Sequence, residues 1–224
     1  MKDKNHFLPL LIDMSDKKVV IFGSGSVGER KANLFSEYAK VTVVSRSFCD
    51  VFYNLEKKYD IQLIKADAGK LTDDEINCIV RDSFLVIPAT NDRNINERIV
   101  NISKSFGILT NEVDAIGDVT VPAVIKRGGL TISISTAGSS PAFSRFTRRQ
   151  VEKIITPEFG DMIRIQDHMR TYLKEEVPDQ RDRKDILWDI LESEEVWSAL
   201  EESYEKGFNT AQGIVRKKIS EKVR

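Results

Sequence analysis

Apolar residues along the first half of the chain fall into short β-branched runs separated by longer stretches of helical periodicity. The runs are Val19 to Phe22, Val41 to Val44, Ile61 to Ile64, Phe84 to Pro88 and Ile108 to Thr110. Runs this short and this rich in β-branched residues read as strands, and their alternation with helices is the sequence form of right-handed βαβ units, hence of a parallel sheet covered on both faces. The pattern predicts an α/β domain with a doubly wound parallel sheet.

The pattern then changes. Val119 to Lys126 and Leu130 to Thr136 are joined through Gly128 and Gly129, a dipeptide suited to the positive φ of a tight hairpin, so an antiparallel ribbon is expected after the parallel sheet. Beyond Ser140 the chain reads as helix: Pro141 to Ile155, Phe159 to Lys174, Arg181 to Leu191 and Val196 to Lys206, with a charged tail from Asn209. Three parts are expected: a nucleotide-binding part over 1–113, a ribbon with a long helix over 114–156, and a small helical domain over 157–224.

Composition narrows the function. With 34 basic and 35 acidic residues the net charge is -1, so nothing marks the chain as a general binder of nucleic acid. No stretch approaches the ~20 apolar residues of a membrane helix. Phe7 to Ile12, behind Lys2 and Lys4, is too short for a signal-peptide core. Cys49 and Cys78 form no CxxC, and with only His6 and His168 no set of residues has structural-zinc spacing; no metal ligand is assigned, and a reducing, cytoplasmic setting is expected. His168, alone on a predicted helix, reads as a surface or packing residue.

Candidate chemistry begins at the loop Gly23, Ser24, Gly25, Ser26, Val27, Gly28, a GxGxxG that directly follows one strand and opens a helix. In that context the first glycine makes the turn, the second admits a pyrophosphate, and the third lets helix pack on strand, as in Rossmann-type dinucleotide sites. The second strand ends Ser45, Arg46, without the carboxylate that usually takes the ribose hydroxyls. Arg46 then holds a 2′-phosphate, stacks on adenine, or lies in solvent, which leaves NADP open beside NAD. After the fourth strand, Thr90 and Asn91 lie at the sheet's carboxyl edge, as cofactor contacts or as caps of the next helix. After the fifth come Asn111, a further cofactor contact, and Asp114, either a general base for a dehydrogenation or the holder of a turn before Gly117. Further on, Ser139, Ser140 and Pro141 open a helix bearing Arg145, Arg148 and Arg149, with Lys126 and Arg127 at the ribbon tip. This is either an anion-binding corner or a capped helix with a solvated basic face.

Together these residues resemble the precorrin-2 dehydrogenase and sirohydrochlorin ferrochelatase family, which also forms the N-terminal part of siroheme synthases. The resemblance rests on Phe7-Leu8-Pro9-Leu10, on the glycine loop followed by Glu29-Arg30-Lys31, on Ala89 to Asp92, on Asn111 to Asp114, on Pro122-Ala123, and on Ser135 to Pro141. It is good from Phe7 to about Ile155 and weak beyond. Two features depart from the family: the segment Thr110-Asn111-Glu112-Val113-Asp114 lacks the expected hydrophobic residues beside the asparagine, and Gly28 stands where alanine is frequent. The resemblance implies NAD-dependent removal of two hydrogens from precorrin-2, in some members followed by Fe²⁺ insertion into sirohydrochlorin. It implies Asp114 as catalytic base, Ser140 in the substrate site, and a homodimer built through the ribbon and following helix. NAD ranks ahead of NADP on this ground alone. Arg145 and Arg149 would meet the substrate's carboxylate arms. Competing readings are an NAD(P)-dependent oxidoreductase of another anionic substrate, a non-catalytic nucleotide sensor, and a chelatase that keeps the nucleotide domain only as scaffold.

Overall fold

The computed structural model describes residues 7–113, 115 and 117–222. The chain divides into two compact units, Met1–Val121 and Pro122–Arg224.

In the first unit, strands β1 (Lys18–Phe22), β2 (Lys40–Ser45), β3 (Ile61–Lys65), β4 (Leu85–Pro88) and β5 (Leu109–Thr110) alternate with helices α1 (Ser26–Phe35), α2 (Asp50–Lys58), α3 (Asp73–Val80) and α4 (Arg93–Ser105). All strand pairs are parallel, in the order β3-β2-β1-β4-β5, which is the Rossmann arrangement expected from the sequence. The period-two geometry of strands sorts the apolar residues between two faces. Val19, Ile21, Val41, Val43, Leu85 and Ile87 pack with Ala32 of α1 and Phe52 of α2. Their neighbours Val20, Phe22, Val44 and Val86 pack with Ile76 and Val80 of α3 and Ile99 of α4. Fully burying one such side chain contributes about 1.5–3 kcal/mol, which explains why these strands have no polar face.

The order reverses between β1, whose chain crosses to β2 on one side, and β4 on the other. Loops leaving the carboxyl ends of these two strands diverge, and a crevice opens there.

In the second unit, β6 (Ala123–Arg127) and β7 (Leu130–Ile134) form the expected antiparallel ribbon, with Arg127 opposite Leu130 across a two-residue turn. Gly128 takes a positive φ of 53° there. A β-carbon on Gly128 would stand 3.3 Å from Gly160 Cα, so the turn seats closely on the helix that carries Gly160. Helices α5 (Pro141–Ile154), α6 (Glu158–Glu176), α7 (Gln180–Glu192), α8 (Glu194–Glu202) and α9 (Tyr204–Lys222) complete the unit. The expected break at 156/157 falls inside this unit, between α5 and α6. The stripe Met162, Ile165, Met169 and Leu173 of α6 anchors a core shared with α7, α8 and α9.

Two expectations for this end of the chain are corrected. Val196 to Lys206 is not one helix: the backbone is extended at Ser203, which ends α8 and whose hydroxyl accepts from the Lys206 amide at 3.2 Å. The residues from Asn209 are not a tail but the body of α9, where Ala211 and Val215 are fully buried. Among the described residues no helix is long and apolar enough to cross a membrane.

Candidate functional site

The glycine loop spans β1 and α1. Gly23 has φ 110°, and a β-carbon there would lie 2.3 Å from Ala89 O. Gly28 is equally confined, its absent β-carbon 2.0 Å from Gly23 O. In this loop geometry the alanine frequent at that position in the family would press on backbone. Gly25 differs: it caps α1 with φ -69° and ψ -177°, conformations open to any residue, and a β-carbon would meet nothing within 4 Å. Neither strain nor crowding inside the chain calls for glycine at 25. Exposed amides at the start of α1, with the helix dipole behind them, face that open space, and Gly25 and Ser26 are exposed while Val27 is half-buried.

The end of β2 is tied to this loop. The Ser24 hydroxyl donates to Ser47 O at 2.7 Å and stands 2.8 Å from the Ser45 hydroxyl, which is therefore the donor of that pair. Gly23 N donates to Val44 O at 2.8 Å. Ser45 thus serves the loop's shape, while Arg46 projects exposed beyond it.

Across the crevice, the loop after β4 is fastened by Asn96, which the sequence reading did not single out. Its Oδ1 accepts from the Thr90 hydroxyl at 2.7 Å and from Thr90 N at 3.1 Å, and its Nδ2 donates to Thr90 O at 3.0 Å. Neither Thr90 nor Asn91 caps α4. That role falls to Asp92, whose Oδ1 accepts from the amides of Asn94 and Ile95 at 2.9 and 3.3 Å. Asn91 is exposed at the tip of the loop, in neither cap nor core.

Beyond β5, Asn111 is buried, with 6% of its surface exposed. Its Nδ2 donates to Val119 O at 2.7 Å, which fixes the amide's orientation because two oxygens cannot pair. Oδ1 is then a buried acceptor with no partner. A buried orphan of this kind costs about 1–3 kcal/mol, so its retention favours a ligand that donates to it. Asp118 closes the same segment, accepting from Thr110 N at 3.0 Å and from the Thr110 hydroxyl at 2.8 Å. Burial pushes its carboxyl up, but the Thr110 bonds and the Lys104 charge outweigh that and hold it below the usual range. Gly117 is required here, since a β-carbon would stand 2.7 Å from Thr110 O. Asp114, the expected base, lies outside the described residues.

In the second unit, Ser140 is the N-cap of α5, its Oγ accepting from Phe143 N at 3.3 Å. A hydroxyl used in this way still has its proton to donate. Ser140 N donates to Thr136 Oγ1 at 2.9 Å. The loop turns on two successive positive φ values, 50° at Ala137 and 84° at Gly138, which leaves Ser139 exposed. Arg145 and Arg149, one turn apart on α5, are exposed. Two other arginines drop out of the expected anion corner. Arg148 is paired with Glu152 at 2.8 Å, and Arg127 donates to Ile155 O at 2.9 Å, closing the carboxyl end of α5. No cluster of three or more His, Cys, Asp or Glu able to hold a metal occurs among the described residues.

The chain is 48% identical to the precorrin-2 dehydrogenase of Methanosarcina barkeri over 215 residues, 96% of either protein. It belongs to the precorrin-2 dehydrogenase family. An NAD(P)-binding family profile matches residues 10–123, and a profile for the central part of sirohaem biosynthesis proteins matches 127–154. The siroheme synthase of Nitrosococcus oceani is 26% identical over 224 residues, 93% of this chain but 46% of that longer protein. A solved precorrin-2 dehydrogenase shares the fold with a TM-score of 0.73 at 19% identity, covering 94% of this chain and all of the other.

Proposed function

We propose that the protein removes two hydrogens from precorrin-2 to give sirohydrochlorin, with NAD as acceptor, in sirohaem biosynthesis. The observation that carries this reading is the open space at Gly25. In a chain of which 96% is matched by a precorrin-2 dehydrogenase, the loop has a glycine that its own packing does not require, where a pyrophosphate would approach.

The residues fit the cofactor. Gly23 makes the turn, and amides from Ser24 to Gly28, with the Ser26 hydroxyl and the Val27 backbone, hold the pyrophosphate; Ser45 and Arg46 border the adenosine end; Thr90, Asn91 and the orphan acceptor of Asn111 serve the nicotinamide end. NAD supplies the hydride acceptor. One C–H bond of the substrate gives up a hydride and a second hydrogen leaves as a proton, which Asp114 takes as general base. For the substrate's carboxylate arms, Ser139 and Ser140 offer hydroxyl donors and Arg145 and Arg149 offer charge.

The same reading extends to assembly and setting. Phe143, Phe146 and Ile154 share one face of α5 and are 59%, 57% and 70% exposed in the single chain. That face, beside a two-stranded ribbon too small to be stable by itself, favours a homodimer through these elements. Free, exposed Cys49 and Cys78 suit a reducing cytoplasm. If Fe²⁺ is a further substrate, the macrocycle nitrogens hold it and Asp114 accepts the protons they release.

The test is anaerobic incubation of the protein with precorrin-2 and NAD or NADP, followed by absorbance, with Fe²⁺ added afterwards. NAD-dependent appearance of sirohydrochlorin is expected. Colour with NADP alone would reassign Arg46 to a 2′-phosphate, and none with either cofactor would overturn the reading. An iron-dependent change no faster than without protein would remove the chelatase activity.

A further inference from the structure

The helical part of the second unit has a groove lined by none of the residues assigned to this reaction. It is an open groove between α6 and α7 with a volume of about 540 Å³, within the ~300–1,000 Å³ range of small-molecule sites. Arg170 and Lys174 line it from α6; Arg183, Lys184 and Trp188 line it from α7; no carboxylate is among its lining residues. The absence is notable on helices so rich in acid. Asp161 is paired with Arg164 at 3.0 Å and Asp189 with Lys218 at 2.7 Å, and neither faces the groove.

The cations that line the groove are not taken up in ion pairs. Arg183 donates to the carbonyls of Val177 and Pro178, both at 2.7 Å, which locks its guanidinium in place without neutralising it. Arg170, Lys174 and Lys184 have no ion pair among the described residues. Four like charges held around one cavity repel each other, and an anionic ligand removes that cost.

The arrangement also says which anion. A compact phosphate would seek the first turn of α7, but Asp179 already caps it, accepting from the amides of Arg181 and Asp182. The charges are instead spread: Arg170 and Lys174 lie about 6 Å apart along their helix. Beside them Trp188 presents an indole that is 51% exposed. Separated cations around an apolar, aromatic floor fit several carboxylates carried on the rim of a flat ring system.

We propose that this groove is a second binding site, for a planar polycarboxylate macrocycle. The class is that of the substrate and product in the proposed reaction, and only this choice of class rests on that reading. Such a site would hold released macrocycle on the enzyme.

The full chain is titrated with uroporphyrin, a stable flat macrocycle with eight carboxylates, following stoichiometry by calorimetry. It is compared with an Arg170→Glu/Lys184→Glu variant, and NAD-dependent turnover of precorrin-2 is measured for both. Wild type should bind two equivalents per chain and the variant one, with turnover unchanged. The milder Arg170→Gln/Lys184→Gln pair, which adds no repulsion, should weaken the same site about tenfold or more, the loss expected from one or two charge-assisted bonds. Equal stoichiometry and affinity in wild type and both variants would overturn the groove. Loss of one equivalent in a protein that never oxidises precorrin-2 would uphold the groove and sink the dehydrogenase reading instead.

Discussion

Replacing Gly25 by valine separates what the glycine loop does for the fold from what it does for the ligand. Backbone angles at this position suit a β-branched residue, and the new side chain points into space where, its chain neighbours aside, nothing lies within 4 Å of its β-carbon. Losing glycine as N-cap costs about 0.5–1 kcal/mol, and the stiffer unfolded chain returns about 0.4–1 kcal/mol. Stability should therefore stay within about 0.5 kcal/mol of wild type. Binding should not. The isopropyl group fills the approach to the α1 amides, and the loss of one or two charge-assisted bonds to a pyrophosphate is worth about 3 kcal/mol, roughly 150-fold in affinity. Urea denaturation and calorimetric titration with NAD measure the two effects on the same samples. NAD affinity within about threefold of wild type would mean that the open space is not the pyrophosphate's, and a stability loss above about 2 kcal/mol would mean that it is not open.

Gly23→Ala should behave in the opposite way: a positive φ and a 2.3 Å approach to Ala89 O together predict about 2–4 kcal/mol of lost stability, and a melting curve like wild type's would refute the loop geometry. Asp114→Ala should lower kcat by about 10²–10⁴-fold while NAD binds as before; retained turnover would remove the aspartate from the chemistry. Lys31 is half-buried on α1, and desolvation, aided by the neighbouring Arg30 charge, lowers its ammonium to about 8 from 10.5. Because the folded-state value lies below the unfolded one, its charge destabilises the protein below pH 8, and the penalty fades as pH rises from 8 towards 10.5. Lys31→Met should accordingly be more stable than wild type at pH 7, by on the order of 2 kcal/mol after screening, with most of the gain gone by pH 10; a pH-independent difference would show that packing, not charge, is responsible.

Much of the first unit was legible because its strands are buried on both faces. A run such as Val19 to Phe22 has no polar position to confuse the period, and its neighbours share the same signature. The α4 cap was not legible in the same way. Thr90, Asn91 and Asp92 are all competent caps, and the choice among them follows from the clamp of Asn96 on Thr90, a contact that no local pattern records. Ser203 was missed because helical periodicity runs on across it. What forces the break is the crossing of α9 on α8, where Gly207 lies so near Leu200 that a β-carbon would stand 2.5 Å from its Cγ. The supposed tail from Asn209 was hidden by its charge, since the buried Ala211 and Val215 and the half-buried Ile214 and Ile219 form a narrow apolar stripe among polar residues. Arg127 misled for a related reason: a basic residue at a ribbon tip looks available until a distant carbonyl claims it.

A pattern links the candidate contacts that were legible to the fasteners that were not. Gly25, Asn91 and Ser139 stand exposed, and each loop that carries one is secured by a polar residue beside it. Ser24 secures the glycine loop to Ser47, Asn96 secures the β4 loop at Thr90, and Thr136 secures the serine loop at Ser140. Motifs reveal contacts because ligand chemistry restricts residue type and spacing along the chain. The fasteners face a weaker local restriction, since several short polar residues can make such bonds and Ser47 lies 23 residues from Ser24. A ligand group held by exposed backbone amides gains only if those amides are already in place, so the fasteners carry part of the affinity without touching the ligand. It follows that a sequence motif locates such a site, while the bonds that preorganise it become visible only when the fold brings the partners together.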